Sequence, residues 1–150
     1  MIENLLVQSL MAFITKAVRD FRLPVKNGEP RAPKVFDGYL PPKRSGSDDD
    51  YPLVVVRYES GSVDLEQTEA KVSIIVGCYT EEFDGHTYCL NVMSRIRLAL
   101  AQMPNNILDG KFVLQYPITL ENTPEQPYPY WQTSMETTWA YNTPQSKFEY

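Results

Sequence analysis

The chain is poor in the side chains that reactive chemistry draws on: its 150 residues include a single histidine, His86, and two cysteines, Cys78 and Cys89. A closed zinc site needs four ligands at a recognisable spacing. His86 stands three residues before Cys89 and eight after Cys78, which leaves Glu81, Glu82 or Asp84 to complete a set that fits no such motif. Both cysteines fall inside apolar stretches, where a free thiol behaves as a small core residue. A Cys-His nucleophilic pair needs an accessible thiolate and a third group to orient the base. His86 opens a predicted helix and Cys89 lies on its buried stripe, which gives neither. No phosphate-cradling glycine pattern and no Gly-x-Ser-x-Gly elbow occur. Paired carboxylates stand at Glu81-Glu82, at Asp48-Asp49-Asp50 and at Asp64 and Glu66. General acid–base work needs one of them buried with a raised pKa, and all lie in predicted loops or turns. The expectation is a non-enzymatic protein with no metal and no cofactor.

Basic charge is scarce as well. The formal net charge is -5, a field that repels phosphate. Beyond Lys43-Arg44 the basic residues are scattered singly, so no specific nucleic-acid binding is expected. The longest apolar runs, such as Leu53-Val54-Val55-Val56, fall far short of the about 20 residues that span a bilayer. No basic n-region, apolar core and cleavage site open the chain, so reduced thiols in cytoplasm are expected.

What is plentiful is proline, 12 residues in all, against an average usage near 5%. Loops therefore carry much of a chain whose length suits one domain. From Ile2 to Phe21 the apolar residues Ile2, Leu6, Leu10, Phe13, Ala17 and Phe21 follow helical spacing, and Pro24 ends the run near Phe21 or Leu23. Residues 24–52 are rich in proline and glycine, with a short strand around Lys34 to Leu40. Leu53 to Tyr58 is apolar on both faces, as in a covered strand. A turn is expected between Glu59 and Thr68, around Gly61-Ser62, Asp64 and Glu66. Ala70 to Cys78 then alternates as the clearest strand. Gly85 to Met103 returns to helical spacing, with Cys89, Met93, Ile96, Leu100 and Met103 on one face and Asp84 as N-cap. Two strands follow, Lys111 to Thr119 with Phe112, Leu114, Tyr116 and Ile118 on one side, and Gln132 to Tyr141. The expected fold class is α+β: an antiparallel or mixed sheet of about four to five strands, with two main helices on one face.

Two stretches stand apart from core patterning. Pro41 to Asp50 reads as an exposed loop in which Lys43 and Arg44 precede Asp48, Asp49 and Asp50. Gln126-Pro-Tyr-Pro-Tyr-Trp131 holds Tyr128, Tyr130 and Trp131 on a proline-stiffened lead into a strand. Aromatics with a polar handle, ordered at low entropy cost, suit protein contact surfaces. They equally suit a rigid corner that closes one end of a core.

Taken in order, Asp50-Tyr-Pro-Leu-Val-Val-Val-Arg57, Ile74-Ile-Val-Gly-Cys-Tyr79, the helix Gly85 to Met103 and Gln126 to Trp131 resemble the tail-completion and tail terminator proteins of long-tailed phages and prophages. The resemblance implies a sheet-and-helix subunit that assembles, commonly as a hexamer, into a ring capping the tail tube. Such a ring ends tube polymerisation and joins tail to head, and its partners are its own copies, the major tail tube protein and the head-tail connector. It would work in the host bacterial cytoplasm during assembly and in the virion tail thereafter. On this reading the 41–50 loop reaches the tube or a neighbour, its charges setting register by complementarity. Head-completion proteins and minor tail parts share the pattern. A reading of another class is a small-ligand-binding domain with a pocket between sheet and helices and His86 or Tyr79 at its mouth.

Overall fold

A computed structural model describes residues 2–38, 50–122, 126 and 128–144. In chain order its elements are α1 (Ile2–Val18), β1 (Lys34–Asp37), β2 (Leu53–Val63), β3 (Gln67–Tyr79), α2 (His86–Ala101), β4 (Ile107–Leu108), β5 (Phe112–Asn122) and β6 (Tyr130–Asn142). The strands form one mixed sheet in the order β1-β2-β3-β6-β5-β4, parallel between β1 and β2 and antiparallel elsewhere. The class is therefore α+β, with six strands where four to five were expected. The added strand is β4, whose two residues turn back at Asp109-Gly110. Both turn residues have positive φ, 54° and 68°, and Lys111 N–H donates to the Leu108 carbonyl at 3.1 Å. Asp and Gly are residues that enter this left-handed region at low cost.

Both helices contribute to one core against one face of the sheet. Alternation on β3 sends Ala70, Val72, Ile74, Val76 and Cys78 inward, and β6 adds Met135, Trp139 and Tyr141 at the paired positions. Trp139 and Phe112 are wholly buried, each contributing on the order of 1.5–3 kcal/mol of apolar transfer free energy. Thr137 accepts the Trp139 Nε1–H at 2.8 Å and donates to the Val72 carbonyl at 2.7 Å, so the core indole nitrogen is satisfied inside the sheet. At the far end Tyr141 donates to Glu3 Oε2 at 2.6 Å and ties β6 to the start of α1. Burial and this bond push the Tyr141 hydroxyl pKa up. No helix among the described residues is long and apolar enough to cross a membrane.

Several expected boundaries move. α1 ends at Val18 and buries Leu6, Val7, Leu10, Ile14 and Val18. Of the expected stripe only Leu6 and Leu10 are fully inside, while Ile2, Phe13, Ala17 and Phe21 pack at its margin. Arg22 instead caps the exit, donating to the Arg19 and Phe21 carbonyls at 2.9 and 2.7 Å. The turn expected at Gly61-Ser62 is strand, because Gly61 pairs with Ala70 and its missing Cβ leaves room for the Tyr58 hydroxyl. The chain reverses at Asp64 to Glu66, where Asp64 Oδ1 accepts the Leu65 N–H at 2.9 Å. Asp84 does not cap α2 with its side chain; Gly85 occupies the N-cap, and Thr87 donates from N and Oγ1 to the Asp84 carbonyl at 3.0 and 2.8 Å. On β5 the alternation breaks between Gln115 and Thr119, leaving Tyr116 exposed, because Pro117 has no N–H for the ladder.

Candidate functional site

The phrases of sequence that stood out meet at one end of the sheet. β3 ends at Tyr79, directly paired with Tyr130 at the start of β6, and Leu53 at the start of β2 faces Gly77. The rings of Tyr51, Tyr130 and Tyr79 form a row with centroids 4.8 and 5.4 Å apart. Tyr51 crosses Gly77 so closely that a Cβ there would meet its Cε2 at 2.7 Å, and its hydroxyl accepts from Gln132 Nε2 at 2.9 Å. Arg31 fixes the approach to this row by donating to the carbonyls of Asp50 and Tyr51, both at 3.0 Å, and of Pro52 at 3.1 Å. Burial lowers the Arg31 pKa, and the nearby Asp50 charge opposes that shift. Asp50 is thus a half-buried turn residue, whereas Lys43, Arg44, Asp48 and Asp49 lie outside the described residues.

The lead into β6 is held by reciprocal bonds. Gln126 Oε1 accepts the Gln132 N–H at 2.7 Å while its Nε2 donates to the Gln132 carbonyl at 3.1 Å. Trp131 donates from Nε1 to the Thr80 carbonyl at 3.1 Å, and its indole fills the space that a side chain at Gly85 would need. Thr80 N–H donates to the Pro129 carbonyl at 3.0 Å, and Tyr128 hydroxyl donates to the Glu81 carbonyl at 2.6 Å. Tyr130 and Trp131 are half-buried and serve the packing corner. Tyr128 faces solvent, 50% exposed, and stacks on Phe83 at 5.8 Å and 24°. Phe83 is 88% exposed. Within the aromatic stretch, Tyr130 and Trp131 are thus packed in and Tyr128 is left at the surface.

Phe83 was missed by the sequence reading, which weighed its neighbours only as carboxylates. The available signal was an aromatic set between acids in a turn, Glu81-Glu82-Phe83-Asp84. No Lys or Arg occurs between Lys71 and Arg95, so this turn is acidic without local compensation. Glu81 accepts the Tyr79 hydroxyl and Glu82 the Tyr88 hydroxyl, each at 3.2 Å. Partial desolvation and these bonds push both tyrosine pKa values up.

Of the other candidates, Cys78 and Cys89 are free and buried. Cys89 Sγ donates to the Trp131 carbonyl at 3.2 Å, and the neighbouring Cys89 thiol, with burial, pushes the Cys78 thiol up, away from thiolate. His86 is exposed and leans on Trp131 at 6.2 Å. Among the described residues no group of three or more His, Cys, Asp or Glu side chains is placed to hold a metal ion. Among the described residues the inner sheet face and both helices share one buried cluster, and two surface grooves flank it. One of about 250 Å³ lies on the sheet face opposite the helices, beside Glu59, Glu121 and Glu136. Another of about 380 Å³ lies between α1 and α2, floored by Phe13, Ala17 and Ala99 and rimmed by Lys16, Arg19, Asp20 and Gln102.

No protein-family model matches the chain, and no curated protein matches it in sequence.

Proposed function

We propose that this chain is a structural subunit of a phage neck, which assembles with its own copies into a ring at the head-proximal end of the tail tube, ends tube growth and joins tail to head. The observation that supports this reading is that the phrases carrying the resemblance converge. Tyr51, Tyr79 and Tyr130 stack at one corner, where Phe83 and Tyr128 stand out from a frame of hydrogen bonds. A contact surface whose aromatic groups are already fixed loses little entropy on docking, which suits a part that recognises a tube end. The open sheet edges agree with an assembly role. Among the described residues no strand pairs with the outer side of β2 after Val56, or with that of β5 after Val113. Natural proteins generally cover or charge such edges when nothing is meant to dock there.

The deciding experiment mixes the purified chain with polymerising tail-tube protein and images the products by electron microscopy. Tubes that stop growing and carry added density at one end are expected. Tubes that lengthen unaltered, with bare ends, refute the terminator role. End density without arrest of growth moves the chain to another position in the neck.

A further inference from the structure

Charge on this molecule is segregated in a way that its net value hides. The sole carboxylate on α1 is Glu3, at the helix start, and α2 has none. The helix layer instead presents Lys16 on α1, Arg19 and Arg22 just beyond it with Asp20 between them, and Arg95 and Arg97 on α2, a net positive set. The opposite holds at the corner, where Glu81, Glu82 and Asp84 flank the exposed Phe83 in the turn. Lys16, Arg19, Glu81, Glu82 and Asp84 form no ion pair among the described residues.

The two regions are also complementary in polarity. The corner offers an exposed ring, stacked on Tyr128, in an acidic turn. The α1–α2 groove offers an apolar floor of Phe13, Ala17 and Ala99 with Lys16, Arg19, Asp20 and Gln102 at its rim, one positive charge in excess, in a volume of about 380 Å³. They cannot meet within one chain, because Asp84 precedes the first turn of α2 and Ala99 belongs to its last, a separation of roughly 20 Å at 1.5 Å per residue.

We infer that successive copies join head to tail, the Glu81–Asp84 turn of one copy seating Phe83 in the α1–α2 groove of the next, with Glu81 and Glu82 facing Lys16 and Arg19. The inference rests on the ring reading and names the contact that would build the ring. Different patches on the two partners make the interface heterologous, the kind that closes into a ring when the rotation between copies closes. Phe83 is the anchor, since a ring leaving water for a fitted pocket carries much of an interface's energy. The flanking charges speed encounter and fix register, and they weaken as salt screens them.

The test is self-association, measured by sedimentation velocity and native mass spectrometry over a range of protein and salt concentrations. The wild-type chain is expected to form a closed oligomer that loosens as salt rises. The pair Lys16→Glu and Arg19→Glu, and separately the pair Glu81→Lys and Glu82→Lys, should each weaken association by about tenfold or more, about 1.4 kcal/mol. All four reversals on one chain should restore it, which a merely unfolded variant could not do. Phe83→Ser should weaken association at every salt concentration. Reversals that leave the oligomer intact, or a four-site chain that fails to recover, overturn the contact while a ring capping tubes still stands. A wild-type chain that stays monomeric at all concentrations also overturns it. The tube assay then separates the two ideas, because capping by a monomeric chain preserves the neck reading and uncapped tubes remove both.

Discussion

Gly85→Ala measures how tightly the aromatic corner is built. Gly85 has helical angles, φ -56° and ψ -26°, which any residue adopts. Its substitution by alanine should by itself stabilise by about 0.4–1 kcal/mol, because the unfolded chain loses freedom. The surroundings reverse that sign. A Cβ at this position overlaps the Trp131 indole at Nε1 and Cε2 and meets Thr80 Cγ2 at 2.5 Å. Overpacking of this kind costs about 1–3 kcal/mol. The indole also cannot retreat without lengthening its 3.1 Å bond to the Thr80 carbonyl, a further ~0.5–1.5 kcal/mol. The net expectation is a loss of about 2 kcal/mol, seen as a fall in Tm of roughly 4–8 °C for a chain of this size. In a Trp131→Leu background the indole part of the obstruction is gone and only the Thr80 Cγ2 contact stays, so the same substitution should cost less and a double-mutant cycle should return a coupling of about 1–2 kcal/mol. Urea titrations with unchanged slope would supply the free energies. A Gly85→Ala chain as stable as wild type, or an equal loss in both backgrounds, would refute the packing argument.

Thr137→Val keeps the shape but removes the hydroxyl that links Trp139 Nε1–H to the Val72 carbonyl. It should destabilise by about 1–3 kcal/mol, and a urea midpoint shift worth under ~0.5 kcal/mol would show that the link is dispensable. Tyr141→Phe reports on pH. The folded-state pKa of Tyr141 is raised by burial and by Glu3, so its contribution is complete below the unfolded value near ~10 and is lost as pH climbs through the raised one. Unfolding midpoints followed from about pH 8 to about pH 11 should fall at the alkaline end in wild type and fall less in the variant; parallel curves would remove Tyr141 as the cause.

Long periodic segments were readable in the sequence because one physical constraint dominated them. The inward row of β3 and the buried stripe of α2 follow from alternation and helical spacing alone. Boundaries failed where a distant residue decided them. Gly61 looks like a turn residue until Tyr58 is seen lying across it, and Asp84 looks like an N-cap until Trp131 claims the space that makes Gly85 necessary. The β4–β5 reversal was legible and overlooked, since Asp109-Gly110 between apolar residues is a strong hairpin signal. At the corner the aromatic stretch was visible, but which rings would be covered was not. That division depends on Thr80, Glu81 and Gly85, some fifty residues earlier in the chain, whose carbonyls and missing side chain receive Tyr128 and Trp131.

The strand order has a consequence for biosynthesis. β6 lies between β3 and β5, yet it is made after both. Until residues 130–142 leave the ribosome, one edge of β3, with Ala70, Val72, Ile74 and Val76, has no partner to close it. At synthesis rates of about 5–20 residues per second that interval lasts roughly 3–10 s, long compared with the microseconds in which hairpins form. During it the nascent sheet is a half-built template, open to the β6 of another chain on the same polysome. A chaperone that shields strand edges during that interval should therefore raise the yield of correctly paired chains.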